Sequence, residues 1–200
     1  MTRRFSSLRL LCLAALLLGL AACEDSEDRA ARHLENAEAL VAEGDPGAAA
    51  LEFRNVLEYD PTNRAALEQL AELQVEAGAE NAAYGLYQRL VENHPDATEG
   101  WLSLAEIAIR RNLWDEAASF AERAVALAPD SDRTALIEAA LDFRPAVEAG
   151  DADTAAAAAA VARRHLEGQP ADLIARQILI TEAGTFRGPQ ALLTEIDADE

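Results

Sequence analysis

The chain has 200 residues, half of them apolar, which suffices for one compact domain or a short repeat array and excludes disorder as its main state. Thirty-six acidic residues face 17 basic ones, all arginine because lysine is absent, for a net charge of −19. Nucleic acid is excluded as a partner, because that affinity comes from cations neutralising phosphates. Alanine contributes 46 residues while Phe, Trp and Tyr together reach 5%, a balance that favours closely packed helices. Cys12 and Cys23 are the only cysteines, so nothing beyond residue 23 can form a disulfide framework or a cysteine metal site.

In chain order the first element is a leader. Arg3, Arg4 and Arg9 precede the apolar run Leu10–Leu20, whose eleven residues fall short of the roughly 20 needed to span a hydrocarbon core. The run ends Leu20-Ala21-Ala22-Cys23. This ending resembles the lipobox of bacterial lipoproteins, which implies residues 1–22 as a signal peptide, cleavage after Ala22 and lipid on Cys23; an ordinary secretory signal with an incidental Cys23 is the alternative. Without residues 1–22 the chain carries 14 basic and 36 acidic groups, formally −22, and is repelled by anionic lipid surfaces. It would need acyl chains to stay at a membrane. Residues 23–29 then read as the lipidated Cys and an acidic tether, with Glu24–Asp28 spanning at most roughly 20 Å up to Arg29. In lipoproteins of two-membrane bacteria an Asp after the lipidated Cys signals inner-membrane retention. This chain has Glu24, so the resemblance implies an envelope protein facing the periplasm, with the outer membrane favoured over the inner.

From Ala30 a 34-residue period takes over. Pro61, Pro95 and Pro129 recur in register with Ala37, Ala71 and Ala105, with Ala49, Ala83 and Ala117, and with Gly44, Gly78 and Asn112. The two Ala columns let the helices of a hairpin approach closely. The Gly/Gly/Asn column falls where the first helix must stop in a left-handed residue, and the Pro column ends the second helix. Apolar spacing between the marks is helical, as in Leu67, Leu70, Ala71 and Leu73.

These residues resemble the tetratricopeptide repeat, a 34-residue helix-turn-helix unit. Thr98–Ser131 places Trp101, Leu104, Ala105, Ala117, Ala124 and Pro129 on the signature, with Ala108 and Ala121 for its Tyr and Phe. Arg64–Ala97 carries Leu67, Leu70, Ala71, Gly78, Ala83, Tyr87 and Pro95; Ala30–Asn63 has His33 and Asn36 for the Trp and Leu but keeps Phe53. The resemblance implies an all-α fold, a right-handed α-solenoid, with three regular units over 30–131.

Residues 132–200 read as two divergent units, since the next closing proline, Pro170, lies 41 residues after Pro129. A helix over Asp132–Ala149 is expected to be disturbed by Pro145. A turn at Gly150-Asp151 and a helix over Asp153–Glu167 follow, where Ala155–Ala160 is a strong helix former or a low-complexity linker. The fifth unit reads as a helix over Asp172–Ala183, a Gly-containing turn, and a helix from Pro189 or Gln190. Solenoids close on a capping unit and none is evident, so the chain is expected to continue beyond Glu200.

The pattern offers no catalytic machinery: His33, His94 and His165 are isolated, and metal, nucleotide and nucleophile-elbow motifs are missing. No enzyme activity, cofactor or metal is expected. Trp101 reads as core and Trp114 as packing within its hairpin. Glu68, Glu72 and Glu76 form an i, i+4, i+8 stripe whose like charges oppose one another. The resemblance places that edge, with Glu38, Glu106 and Arg110 of neighbouring units, on a concave partner groove suited to a basic segment; a merely solvated face is the alternative. It also implies that the carboxylate clamp of chaperone-binding relatives is missing here.

The expected function is therefore a lipid-anchored periplasmic scaffold for protein partners in envelope assembly or export. The stretch Gly44–Pro61 is similar to lipoproteins of exopolysaccharide-export systems linked to exosortase; pilus assembly and outer-membrane protein insertion use similar proteins. The rival is a recruitment module for an enzyme domain beyond Glu200. Glycan binding by the array has poor support from the low aromatic content.

Overall fold

The computed structural model describes residues 26–197, and every regular element among them is helical. The leader and Cys23 lie outside the described residues. Two compact units divide the chain, Met1–Leu73 and Gln74–Glu200.

In the first unit α1 (Ser26–Glu43) packs along α2 (Pro46–Tyr59), and α3 (Arg64–Glu76) runs across the unit boundary. α1 reaches back into the segment read as a tether. Ser26, Glu27 and Asp28 form its first turn, where carboxylates are stabilised by the helix dipole, so that segment is helical from Ser26 onward rather than extended. Gly44 stops α1 at φ +77°, with the Asp45 N–H returning to the Leu40 carbonyl at 2.9 Å. Asp45 then caps α2 by accepting from the Ala48 N–H at 3.0 Å, with Pro46 preset for the first turn. Asn63 does the same for α3 through the Ala66 N–H at 3.0 Å. His33 is half-buried, stacked on Tyr59 at 5.6 Å and bonded to Glu52, which makes it a packing residue in the signature Trp position.

The second unit holds α4 (Glu80–Asn93), α5 (Thr98–Arg110), α6 (Trp114–Leu127), α7 (Asp132–Ala149), α8 (Ala152–Gly168), α9 (Leu173–Glu182), a π-helical turn (Ala183–Arg187) and α10 (Pro189–Asp197). One apolar core runs from Leu102 to Leu179, joining α5 with α6, α7 with α8, and α9 with α8. The left-handed stops recur at Gly78 (φ +71°), Asn112 (φ +59°) and Gly150 (φ +71°), each followed by the same return bond: Ala79 to Gln74, Leu113 to Ala108, Asp151 to Ala146. Ala37, Ala49, Ala71, Ala83, Ala105 and Ala117 all have 0% exposure, so both alanine columns are sealed. Trp101 is half-buried rather than core, its indole N–H donating to the Pro95 carbonyl at 2.9 Å.

One expectation fails in an informative way. Pro145 does not disturb α7, which stays helical for 18 residues against 13 in α5. It lies exposed near the C-terminus, where its fixed φ is helical and one lost ladder bond is tolerated. The longer period after Pro129 is thus taken up by longer helices, including α8 of 17 residues, whose Ala155, Ala158, Ala159 and Ala162 are buried; the alanine run is no linker. The last turn falls where it was expected, between α9 and Pro189, but in an unforeseen form. α9 passes through Gly184 as a π turn and reverses at Gly188, φ +90°. Arg187 fastens that turn to Glu182 at 2.7 Å and Glu195 at 2.6 Å, while Arg163 approaches Glu195 at 3.3 Å.

Ala105→Leu is expected to overpack the second unit and lower its stability by about 1–3 kcal/mol. Urea denaturation checks this; an unchanged midpoint would mean that the alanine column tolerates larger side chains.

Candidate functional site

The residues read as a partner groove divide between the two units. In the first, Glu38 is exposed on α1, while Glu68 and Glu72 are half-buried on α3, Glu72 accepting from the Gln69 amide at 3.0 Å. In the second, Glu76 is exposed at the end of α3, Glu106 is half-buried on α5, and Arg110 pairs with Glu80 at 2.6 Å.

Glu106 is committed inside the fold. Glu99, Ser103 and Glu106 lie on successive turns of one face of α5 and receive a single cation, Arg133 from the first turn of α7. Its guanidinium donates to Glu106 at 2.7 and 2.9 Å, to Glu99 at 2.6 and 2.8 Å, and to Ser103 at 3.3 Å. Burial would favour losing the proton, but the hydrogen bonds and charges of Glu106 and Glu99 outweigh it and raise the Arg133 pKa above the usual arginine range. Sequence reading missed this site, although one signal was present: Glu99 and Arg133 stand 34 residues apart, opposite charges in the same repeat column.

Tyr84 of α4 donates to Glu116 of α6 at 2.5 Å, packs edge-on to Phe120 at 6.4 Å, and lies under Arg111 at 5.0 Å. Burial, with the hydrogen bond to Glu116 next, pushes its phenol up to about 12.

A groove of about 420 Å³ opens on the same unit, where α9 reaches past α7 to touch α5. Its floor is Ile109, Phe143, Ile174 and Ile178, all nearly buried, and Trp114 forms one wall. Trp114 therefore faces a cavity rather than only packing within its hairpin. Arg144 lies over the Trp114 ring at 5.1 Å and pairs with Glu148 at 3.0 Å. Among the described residues no three His, Cys, Asp or Glu side chains gather to hold a metal ion, and no helix is long and apolar enough to cross a membrane.

Tetratricopeptide-repeat family models match residues 40–102 and 81–132. Residues 40–132 are accordingly tetratricopeptide repeats, and the chain has the all-α, α-solenoid fold of such proteins. Similar solved structures include a MamA protein at 16% identity (TM-score 0.59, covering 86% of this chain and 91% of that one). Another is YrrB, a repeat protein with an unusual peptide-binding site, at 14% identity (TM-score 0.54, covering 84% and 82%). A third is a thermophilic repeat protein from Thermus thermophilus at 20% identity (TM-score 0.53, covering 85% and 89%). These likenesses concern the fold alone. No curated protein matches the chain in sequence.

Two outcomes test the polar contacts. In a double-mutant cycle, Arg133→Met and Glu106→Gln should couple by about 0.5–3 kcal/mol in urea denaturation, because the two groups share one network; additive effects would contradict the Arg133 assignment. In an alkaline titration followed by phenolate absorbance, the step removed by Tyr84→Phe should lie near pH 12 rather than 10. Since the folded pKa is raised, this phenol's contribution to stability is complete below the unfolded value near 10 and disappears as pH rises through about 12.

Proposed function

We propose that the protein is a non-catalytic scaffold, held in a bacterial envelope by lipid on Cys23, that gathers protein partners on the outward edges of its repeats. The observation that carries the scaffold reading is the sealing of both alanine columns at 0% exposure. Interhelix packing consumes those faces and leaves the opposite helix edges to partners. Repeats of this family are interaction modules, and the peptide-binding site of YrrB supports capture of a polypeptide on the same fold. The anchor rests on the Arg-rich start, the short apolar run and Leu20–Cys23, and Glu24 after the Cys favours the outer membrane.

The acidic stripe Glu68, Glu72 and Glu76 is the surface we assign to a basic segment of the partner. Glu106 and Arg110 add little to it, because Arg133 and Glu80 already occupy them. Exopolysaccharide export is the pathway favoured by the Gly44–Pro61 stretch.

Cys23→Ser should release the protein from the membrane fraction of its native host. Unchanged sedimentation with membranes would refute the anchor. Reversing Glu68, Glu72 and Glu76 to Lys together should abolish the crosslinks formed in the native envelope, whereas an identical crosslinking pattern would show that the stripe is only solvated.

A further inference from the structure

We propose that a depression between α6 and α7 holds an arginine side chain of a protein partner, its stem on an apolar floor and its guanidinium among three carboxylates at the rim. This goes beyond the scaffold reading, because it assigns a single anchoring side chain to a surface separate from the acidic stripe and independent of the lipid anchor. Three observations point to it.

The first is a space left by the repeat itself. The depression measures about 380 Å³ and is floored by Ala118, Ala121, Val125 and Leu141. Thirty-four residues earlier, the places of Ala118 and Ala121 are held by Tyr84 and Tyr87. Tyr87 is buried in the second unit, and Phe53, which precedes it by a further 34 residues, is buried in the first. At this junction alone of the three regular units the signature ring is missing, and a depression stands where it would lie.

The second is charge. Glu122, Glu138 and Asp142 rim the depression, all three exposed and, among the described residues, without an ion pair or hydrogen bond. Elsewhere in the unit Glu80, Glu99 and Glu106 are already matched to arginines. Glu138 and Asp142 lie on the side of α7 away from Arg133, so the depression is no part of the face that carries the Arg133 network.

The third is the change of polarity along α7. Glu138 takes the column of the buried Leu70 and Leu104, and one turn before it Thr134 takes the column of Ala66 and Gly100. Thr134 is wholly buried with its hydroxyl unpartnered. An unpaired buried hydroxyl costs stability, so packing alone favours the residues of the earlier columns. Departures of this kind from a local rule belong to functional sites.

The chemistry of the guest follows from floor and rim together. A neutral apolar side chain would strip water from the carboxylates and give nothing back. A lysine ammonium is compact and strongly hydrated, whereas arginine lays its stem along apolar surface and offers a planar, weakly hydrated fork of five donors to several carboxylates at once.

The test titrates N-acetyl-arginine methylamide into the full chain and follows the Val125 and Leu141 methyl signals by NMR, with the citrulline and lysine analogues as comparators. The arginine probe should shift both signals to saturation and bind about tenfold or more tightly than the citrulline analogue, which keeps the shape and loses the charge. It should also bind more tightly than the lysine analogue. Glu138→Leu and Ala121→Phe each restore the side-chain type of the earlier repeats; each should weaken binding by about tenfold or more and leave the melting temperature unchanged or higher. Glu138→Leu, at an exposed position, decides the matter where Ala121→Phe fails to fold. Shifts that do not saturate, an equal response to either comparator, or indifference to Glu138→Leu overturns the proposal. The Lys triple variant at Glu68, Glu72 and Glu76 should bind the probe as the unaltered chain does; loss of binding there would place the probe on the stripe and overturn the proposal as well.

Discussion

Contact between helices through side chains no larger than a methyl group is the constraint on which this molecule rests. Interiors are packed so densely that one extra methylene is felt, and the alanines at 37, 49, 105 and 117 are wholly shut off from solvent within this one. Close approach in turn demands short, abrupt connections. Gly44, Gly78 and Asn112 supply them by entering the left-handed region after the last helical residue, and each releases the chain with the same long return bond. With so few aromatic residues, stability depends on many small, well-fitted contacts rather than a few bulky anchors. Gly100 shows how tight the fit is, since a β-carbon there would lie 2.7 Å from Val91.

Once the packing faces are sealed, charge decides what the remaining surface can do. A chain at −19 must dispose of its carboxylates. The second unit does so by drawing Glu99 and Glu106 onto Arg133 and Glu80 onto Arg110, which fixes α5 against its neighbours and removes those acids from any partner. The fourth hairpin then departs from the repeat by lengthening its helices. Next to it, α9 reaches α5, and the groove with its two arginines and tryptophan lies at that approach. Irregularity in the period and the most distinctive surface of the unit thus occur together.

Periodic features of the fold were open to reading from sequence because their cause is local. A left-handed stop, a proline after a helix and an alanine at fixed spacing each act within one hairpin, so the helix over Asp132–Ala149 and its turn at Gly150 could be placed even where the register slipped. What escaped was set by the reach of long side chains across hairpins. Glu106 looked like a surface acid until Arg133 arrived from the next helix, Trp114 looked like hairpin packing until α9 closed one side of its cavity, and Pro145 looked like a break until its helix proved to end just beyond it. The π turn at Ala183 had no compositional marker at all; Gly184 lies inside it, with Leu192 at 3.5 Å from where a β-carbon would stand.

The account is tested most directly by alanine-methyl NMR in the presence of a water-soluble paramagnetic probe. The methyls of Ala37, Ala49, Ala71, Ala83, Ala105 and Ala117 should stay sharp while those of the exposed Ala118 and Ala126 broaden. Equal broadening of both groups would place the seam alanines in water and contradict the packing on which everything else is built.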